Sequence, residues 1–207
     1  MLVRVAETES SPSRKAEQSQ ATRAALLKAA RELFGERGFN GVATEEVVEA
    51  AGVTRGALYH HFEGKEDLFS ATYEALEGSL MEQIASRAMT AGDPLAALHS
   101  GAQAFLDASE DPAIQRICLL DAPSVLGWER WREIGLHHAL GLIATTLQEA
   151  MDASLIDPQP VRPLAHLLLG AIDEAAMLIA HADDEGRTRR EVGESVRRYI
   201  DMLGPRA

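Results

Sequence analysis

The sequence predicts an all-α chain, and three observations carry that prediction. Apolar residues recur at three- and four-residue spacing from about Ala21 to Leu203. Helix punctuation falls between these runs: glycines at Gly38, Gly52 and Gly64 that end helices, and the cap-then-proline starts Asp93–Pro94 and Asp111–Pro112. No alternating apolar and polar run bounded by turn residues asks for a strand. A length of 207 residues, 46% hydrophobic and 25% charged, fits one medium domain or two closely packed ones and excludes a wholly disordered chain.

Residues 1–17 are polar and mixed in charge, and are expected to form a flexible arm. The first helix carries Leu26, Ala30, Leu33 and Phe34 and is expected to stop at Gly38. Thr44 is a candidate N-cap for a second, short helix, with Glu45 and Glu46 at its positive end. Gly52 closes that helix after about two turns, and Thr54 caps a third, whose Leu58 and Phe62 point inward. After Gly64 a longer helix starts at about Lys65, with the stripe Phe69, Tyr73, Leu76, Leu80 and Ile84. Beyond Gly92 the helices lengthen. Pro123 is expected to end the one begun at Pro112, and Leu136, Leu140, Ile143, Leu147 and Met151 form the seam of the next. Leu164–Ala180 is apolar nearly all round, which implies burial on more than one side, and the last helix runs over about Thr188–Leu203.

Several classes are excluded at this stage. The longest uncharged apolar stretch, Leu164–Ile172, is too short for a membrane span, and Met1–Ser13 lack the apolar core of a secretory signal. The single cysteine, Cys118, excludes an internal disulfide framework, so the expected location is cytoplasmic, with no membrane. There is no glycine-rich phosphate loop, metal-ligand spacing or nucleophile–base pairing of the kinds enzymes use, which counts against a small helical enzyme. No cofactor and no metal are expected. The net charge of −12 is unevenly spread: residues 14–75 carry 8 Lys/Arg and 10 Asp/Glu, residues 76–207 carry 11 and 20. A nearly neutral first third can still present a basic face to phosphates.

The stretch Thr44–Lys65 carries the functional signal. Two short helices joined at a glycine make a helix-turn-helix unit, whose second helix can enter the major groove of double-stranded DNA. Val47, Ala51, Val53, Leu58 and Phe62 supply the inner face, while Thr54, Arg55, Tyr59, His60 and His61 supply donors and flat groups outside. Gly56 and Ala57 are small enough for the helix start to approach base edges. Lys65 opposes the helix dipole, a poor choice for stability alone and a good one for a phosphate clamp. Each residue has a plainer reading too: a helical corner, a ring covering the core edge at Tyr59, a solvated charge at Arg55. Adjacent His60 and His61 cannot both face one metal from a helix.

Thr22–Arg23, Ala29–Ala30, Leu33–Phe34, Gly38–Phe39, Thr44, the run Ala51–Phe62, Lys65 and Leu68–Phe69 together resemble the amino-terminal signature of tetracycline-repressor-type (TetR/AcrR) regulators over roughly residues 20–70. The resemblance implies a helix-turn-helix domain at 18–66 and a helical ligand-binding and dimerisation domain at 67–207. It implies DNA contacts at Thr44, Arg55, Tyr59, His61 and Lys65. With 3 lysines against 17 arginines, phosphate contacts would rest mainly on Arg23, Arg55 and Lys65. Glu45 departs from the pattern, standing where a basic residue would add a phosphate contact. The implied function is a homodimeric repressor, paired through its last two helices on a palindromic operator and released by a small-molecule effector. A DNA-binding architectural protein without an effector, which would have no inner cavity, is the alternative beside the enzyme.

Residues expected at an effector pocket are Arg116, Cys118, Asp121, Trp128, Trp131, His137, His138 and Asp173, although tryptophans three apart and a lone cysteine are more ordinarily core. Asp173 and Glu174 interrupt an apolar helix, and pairing with His166 or His181 across a two-fold axis is the favoured explanation.

Overall fold

The computed structural model describes residues 14–205, and every regular element among them is helical. They are α1 (Arg14–Arg37), a 3-10 turn (Phe39–Gly41), α2 (Thr44–Ala50), α3 (Arg55–His61), α4 (Lys65–Ala88), α5 (Pro94–Ala108), α6 (Pro112–Ile114), a π-helical segment (Gln115–Asp121), α7 (Ala122–Val125), α8 (Gly127–Asp152), α9 (Val161–Ala180) and α10 (Glu185–Asp201). Helix α1 begins four residues inside the expected arm; the rest of that arm, residues 1–13, lies outside the described residues.

The first three helices and the start of α4 close over Leu26, Ala30, Phe34, Val47, Leu58 and Phe62, all buried. Phe34, Phe39 and Phe69 form a triangle of rings with centroids 5.2–6.0 Å apart, two of the pairs edge-to-face, which fastens the end of α1 to α4. Arg37 grips both carboxylate oxygens of Glu46 (2.6 and 3.0 Å), and Glu46 accepts from the Ala43 N–H at 2.8 Å. Ala43 is therefore the N-cap of α2, and Thr44 is its first helical residue rather than the cap. The carboxylate three residues on satisfies the cap's own N–H, one half of a capping box, while alanine has no side-chain oxygen for the other half.

Helix α4 then passes into a second layer, packing on α5 and α8, while α9 packs on α8 and α10. Both expected proline starts are present: Asp93 accepts from Ala96 N–H (2.8 Å), and Asp111 from Ala113 and Ile114 N–H (2.8 and 3.2 Å). Pro123 does not end its helix. It lies in the first turn of α7, directly after the π-helical segment, where its missing N–H is tolerated. The break comes at Gly127, whose φ of 76° suits glycine.

Helix α9 is 20 residues long with mean hydropathy 1.5, enough by length and composition to span a bilayer, contrary to the shorter stretch read from the sequence. Leu164, Leu168, Ile172, Ala176 and Ile179 commit it to the core, and Asp173 carries a salt bridge midway along it. That is a core helix in composition and in packing. Leu167 and Leu178, three turns apart on its other side, remain 64% and 52% exposed.

Candidate nucleic-acid interface and inner cavity

Helix α3 is held as its sequence requires. Gly52 supplies a φ of 65° in the turn, and Thr54 caps the helix by accepting from Ala57 N–H at 3.2 Å. Leu58 and Phe62 are buried beneath it, which turns Arg55, Gly56, Tyr59 and His60 to the solvent. Tyr59 is one of the few large aromatic rings left half-exposed. Arg55 stacks on it, 5.5 Å from the ring centroid. Ala57 and His61 are partly covered; burial, then the neighbouring His60 and Arg23, hold the His61 imidazole below its ordinary pKa, so it favours the neutral form. Arg23 of α1 is exposed and lies over the Phe62 ring at 5.5 Å.

Lys65 does stand in the first turn of α4. Its ammonium lies 4.2 Å from the centroid of the Phe39 ring, so this cation also serves packing. Glu45 has a role the sequence did not give it: Oε1 lies 3.3 Å from Arg55, and Oε2 accepts from the Thr44 hydroxyl at 3.1 Å. Its own backbone N–H first, then Thr44, keep this carboxylate below the usual range and therefore charged. Both side chains are exposed, so the pair is screened by solvent and adds little to stability. Glu45→Gln should release Arg55 and remove a charge that repels phosphate. DNA affinity should rise several-fold at low salt, and fluorescence anisotropy should show the gain shrinking as salt is raised.

The second layer encloses a cavity of about 80 Å³ between α4, α5, the π-helical segment, α8 and α9. A single water needs roughly 10–15 Å³ on this scale, so the unexpanded space takes a few waters or one small organic group. Met81, Ile84, Leu98, Phe105, Leu142 and Ile172 give it apolar walls. Of the expected pocket residues, Cys118, Trp131 and Asp173 line it. Trp131 is anchored by an indole N–H bond to the Cys118 carbonyl (3.0 Å), and burial pushes the Cys118 thiol well up, so it stays a neutral filler.

The other five expected residues are elsewhere. Trp128 is 65% exposed, its ring tilted against that of Trp131 with centroids 4.9 Å apart, and only Trp131 of the two is buried. His137 is exposed, and His138 packs against Gly78 of α4 outside the cavity wall. Arg116 and Asp121 build a joint: Asp121 accepts from the Phe39 N–H at 2.7 Å and lies 3.4 Å from the Arg116 guanidinium. Arg116 occupies the space beside Gly38 that a Cβ would fill.

Asp173 is paired within its own chain, to Arg132, and not with His166 or His181. The His181 ring instead contacts the Met177 carbonyl at 2.8 Å, and Glu174 is exposed. Residues missed from the sequence are Tyr73, Glu77 and Arg132. Glu77 had a usable signal: it lies four residues after Tyr73 and one after Leu76, on the buried face of the stripe. It is only 7% exposed, and desolvation first, then the charge of Asp173, raise its carboxyl to about 7, with the Tyr73 hydroxyl opposing as a hydrogen-bond partner. Desolvation likewise raises Asp173 to about 6 against the opposing pull of Arg132.

Comparison with known proteins agrees with this two-layer organisation. Residues 26–72 match the family described as bacterial regulatory proteins, tetR family, and residues 95–203 match a tetracyclin repressor-like C-terminal domain. The HTH-type transcriptional regulator AcrR of Shigella flexneri is 42% identical over 83 residues, covering 40% of this chain and 39% of that protein's own length. The Tn10 TetC protein of Escherichia coli is 28% identical over 155 residues, 74% of this chain and 78% of that one. A TetR-family transcriptional regulator from Pectobacterium atrosepticum superposes with a TM-score of 0.82 at 28% identity, over 94% of this chain and 99% of its own. With an amino-terminal helix-turn-helix, a helical bundle around a cavity and a family match over more than half its length, the chain belongs to the tetR family of bacterial regulatory proteins.

Proposed function

We propose that the protein is a cytoplasmic, homodimeric transcriptional repressor, with a DNA-binding domain over 18–66 and an effector-binding and dimerisation domain over 67–207. The observation that carries this reading is α3: capped by Thr54, clamped from below by Leu58 and Phe62, and presenting Arg55, Gly56, Tyr59 and His60 outward. Arg55 reads a base edge, while Arg23, Thr44, Tyr59, His61 and Lys65 hold phosphates. The stripe Leu167, Ala171, Glu174 and Leu178 on α9, together with α10, forms the two-fold interface, since two exposed leucines three turns apart are an apolar face awaiting a mate.

Two reading helices on one rigid dimer match half-sites at one separation only, about 34–36 Å. A ligand larger than the cavity has to spread its helices, and α4 joins that cavity, through Tyr73, Glu77, Met81 and Ile84, to the first-turn Lys65. An effector that binds the spread state better releases DNA; a near-complete switch needs a preference of ~5.5 kcal/mol.

Selection of bound DNA from a random pool tests the reading. A pseudo-palindrome is expected, with affinity falling steeply as salt is raised. Arg55→Ala should lose preference at one base pair per half-site, a discrimination of ~1–3 kcal/mol, whereas Lys65→Ala should weaken all sequences about equally and lower the salt slope by ~1. An unchanged selected sequence with Arg55→Ala would remove its assigned role.

A further inference from the structure

We propose that Glu45 is a specificity-determining positioning residue: its carboxylate sets the Arg55 guanidinium for one base, a guanine, and withholds it from phosphates. The proposal rests on the reading of α3 as the DNA-reading helix and adds how one base pair of each half-site is selected.

Glu45 is a misfit by charge. A carboxylate on α2, beside the reading helix, repels the phosphates that this face has to approach. The plainer explanation is helix stability, because an acidic residue in the first turn suits the helix dipole. Glu46 already fills that role: it accepts from the Ala43 N–H at 2.8 Å and is held by Arg37, which ties the start of α2 to α1. Glu45 is engaged elsewhere. Its Oε1 lies 3.3 Å from Nη1 of Arg55, across the turn between the two helices, and its Oε2 accepts from the Thr44 hydroxyl at 3.1 Å.

The guanidinium is thereby supported from two sides. The Tyr59 ring lies 5.5 Å from Arg55 Cζ, measured to its centroid, and offers a face on which the flat group stacks. The Glu45 carboxylate engages Nη1 and limits the rotation of the group over that face. Both supports stand on anchored backbone, since Val47 of α2 and Leu58 of α3 have no exposed surface. An arginine carries five N–H donors in a planar fork. With Nη1 on Glu45, the edge formed by Nε and Nη2 remains for a base, and two parallel donors match the O6 and N7 acceptors of guanine. Adenine presents a donor in place of O6 and is refused by the same fork. An unsupported arginine can turn instead to a phosphate oxygen, which carries no sequence information. In the free protein this exposed ion pair adds little. Against a duplex, where water is displaced, the same contact strengthens and decides which acceptor Arg55 takes. The carboxylate therefore lowers the attraction to every duplex and raises the preference for one.

The test measures binding of the full-length protein, by fluorescence anisotropy at one fixed salt concentration, to the selected operator and to duplexes with each other base at the position that Arg55 reads. Glu45→Gln keeps the length of the side chain and an acceptor for Thr44 and loses the charge. It should bind the duplexes lacking the guanine several-fold more tightly and gain less on the operator, so that the preference for guanine falls about three-fold or more. In the Arg55→Ala background the same change should leave preference unaltered, since no guanidinium is left to place. Glu49→Gln removes a charge one turn further along the exposed side of α2, and should raise affinity without changing preference. Melting curves verify that each variant is folded. A Glu45→Gln protein with a shifted melting temperature and an intact preference would make Glu45 a helix-stabilising residue and overturn the proposal. A loss of preference that persists in the Arg55→Ala background overturns it as well, because Glu45 would then contact a base itself. If Arg55→Ala selects the same sequence as the wild type, the base-reading role of Arg55 falls and this proposal with it. Absence of any sequence preference in the wild type overturns the DNA-reading function instead.

Discussion

Glu77→Gln is expected to raise the melting temperature at pH 8 by roughly 5 °C and to leave it nearly unchanged at pH 5. The reason is linkage. Glu77 titrates at about 7 in the folded protein against an ordinary 4.5, so the folded state holds a proton that the unfolded chain has already lost between those values. Stability is full below about pH 4.5 and declines as pH rises towards 7. By pH 8 the ionised buried carboxyl costs on the order of 3 kcal/mol. Asp173, raised to about 6 from 3.8, loses its share at lower pH, so the interval from 5 to 8 reports mainly on Glu77. The amide cannot ionise and removes this slope. Part of the gain is offset because its second N–H lacks a partner, leaving ~2 kcal/mol, or a few degrees for a chain of this size. Comparing the two pH values cancels that packing difference. Parallel stability–pH profiles for the wild type and the variant would show that Glu77 is not held neutral.

The residues of the reading helix were legible in the sequence because their signals are local. Thr54 as a cap, Gly52 in a positive-φ turn, and Leu58 with Phe62 inward each follow from spacing within a dozen residues. The cavity was legible only in part, because its walls come from five segments far apart in sequence. Trp128 and Trp131 are equivalent as residue types, and a spacing of three residues does not tell which of them packs inward at the start of α8; the fold buries Trp131 and leaves Trp128 exposed. Arg116 and Asp121 were expected at the pocket because they share one helix with Cys118 in the sequence reading. The π-helical winding of Gln115–Asp121 places Cys118 and Leu119 on the cavity side and carries Asp121 to the amino-terminal domain. Asp173 was read towards a two-fold partner because nothing in the sequence links it to Arg132, 41 residues away.

Asp121→Ala is expected to uncouple the two domains: a cavity ligand should still bind, while its effect on DNA affinity falls to less than about three-fold. Asp121 at the joint lies only three positions after Cys118 in the cavity wall. Asp121 holds the Phe39 N–H, Arg116 fills the space beside Gly38, and the side chain of Ala113 lies against Gly35, so the end of α1 rides directly on this segment. Spreading the cavity at Cys118 and Leu119 therefore moves the frame on which α2 and α3 are mounted, in addition to tilting α4. Effectors in coupled systems typically change the affinity of the second site by about 5–150-fold, so loss of the joint is measurable. The substitution leaves the Phe39 N–H unpaired and should cost ~1–3 kcal/mol of stability, which makes Asp121→Asn the informative companion. Its amide oxygen can still accept from Phe39, while the attraction to Arg116 is lost. The asparagine variant should therefore retain an intermediate response. DNA anisotropy with and without a saturating amount of a cavity ligand gives the coupling directly. Full release by that ligand in Asp121→Ala would mean that α4 alone carries the signal, because the first-turn Lys65, the Phe39–Phe69 ring contact and the cavity residues on α4 remain intact in that variant.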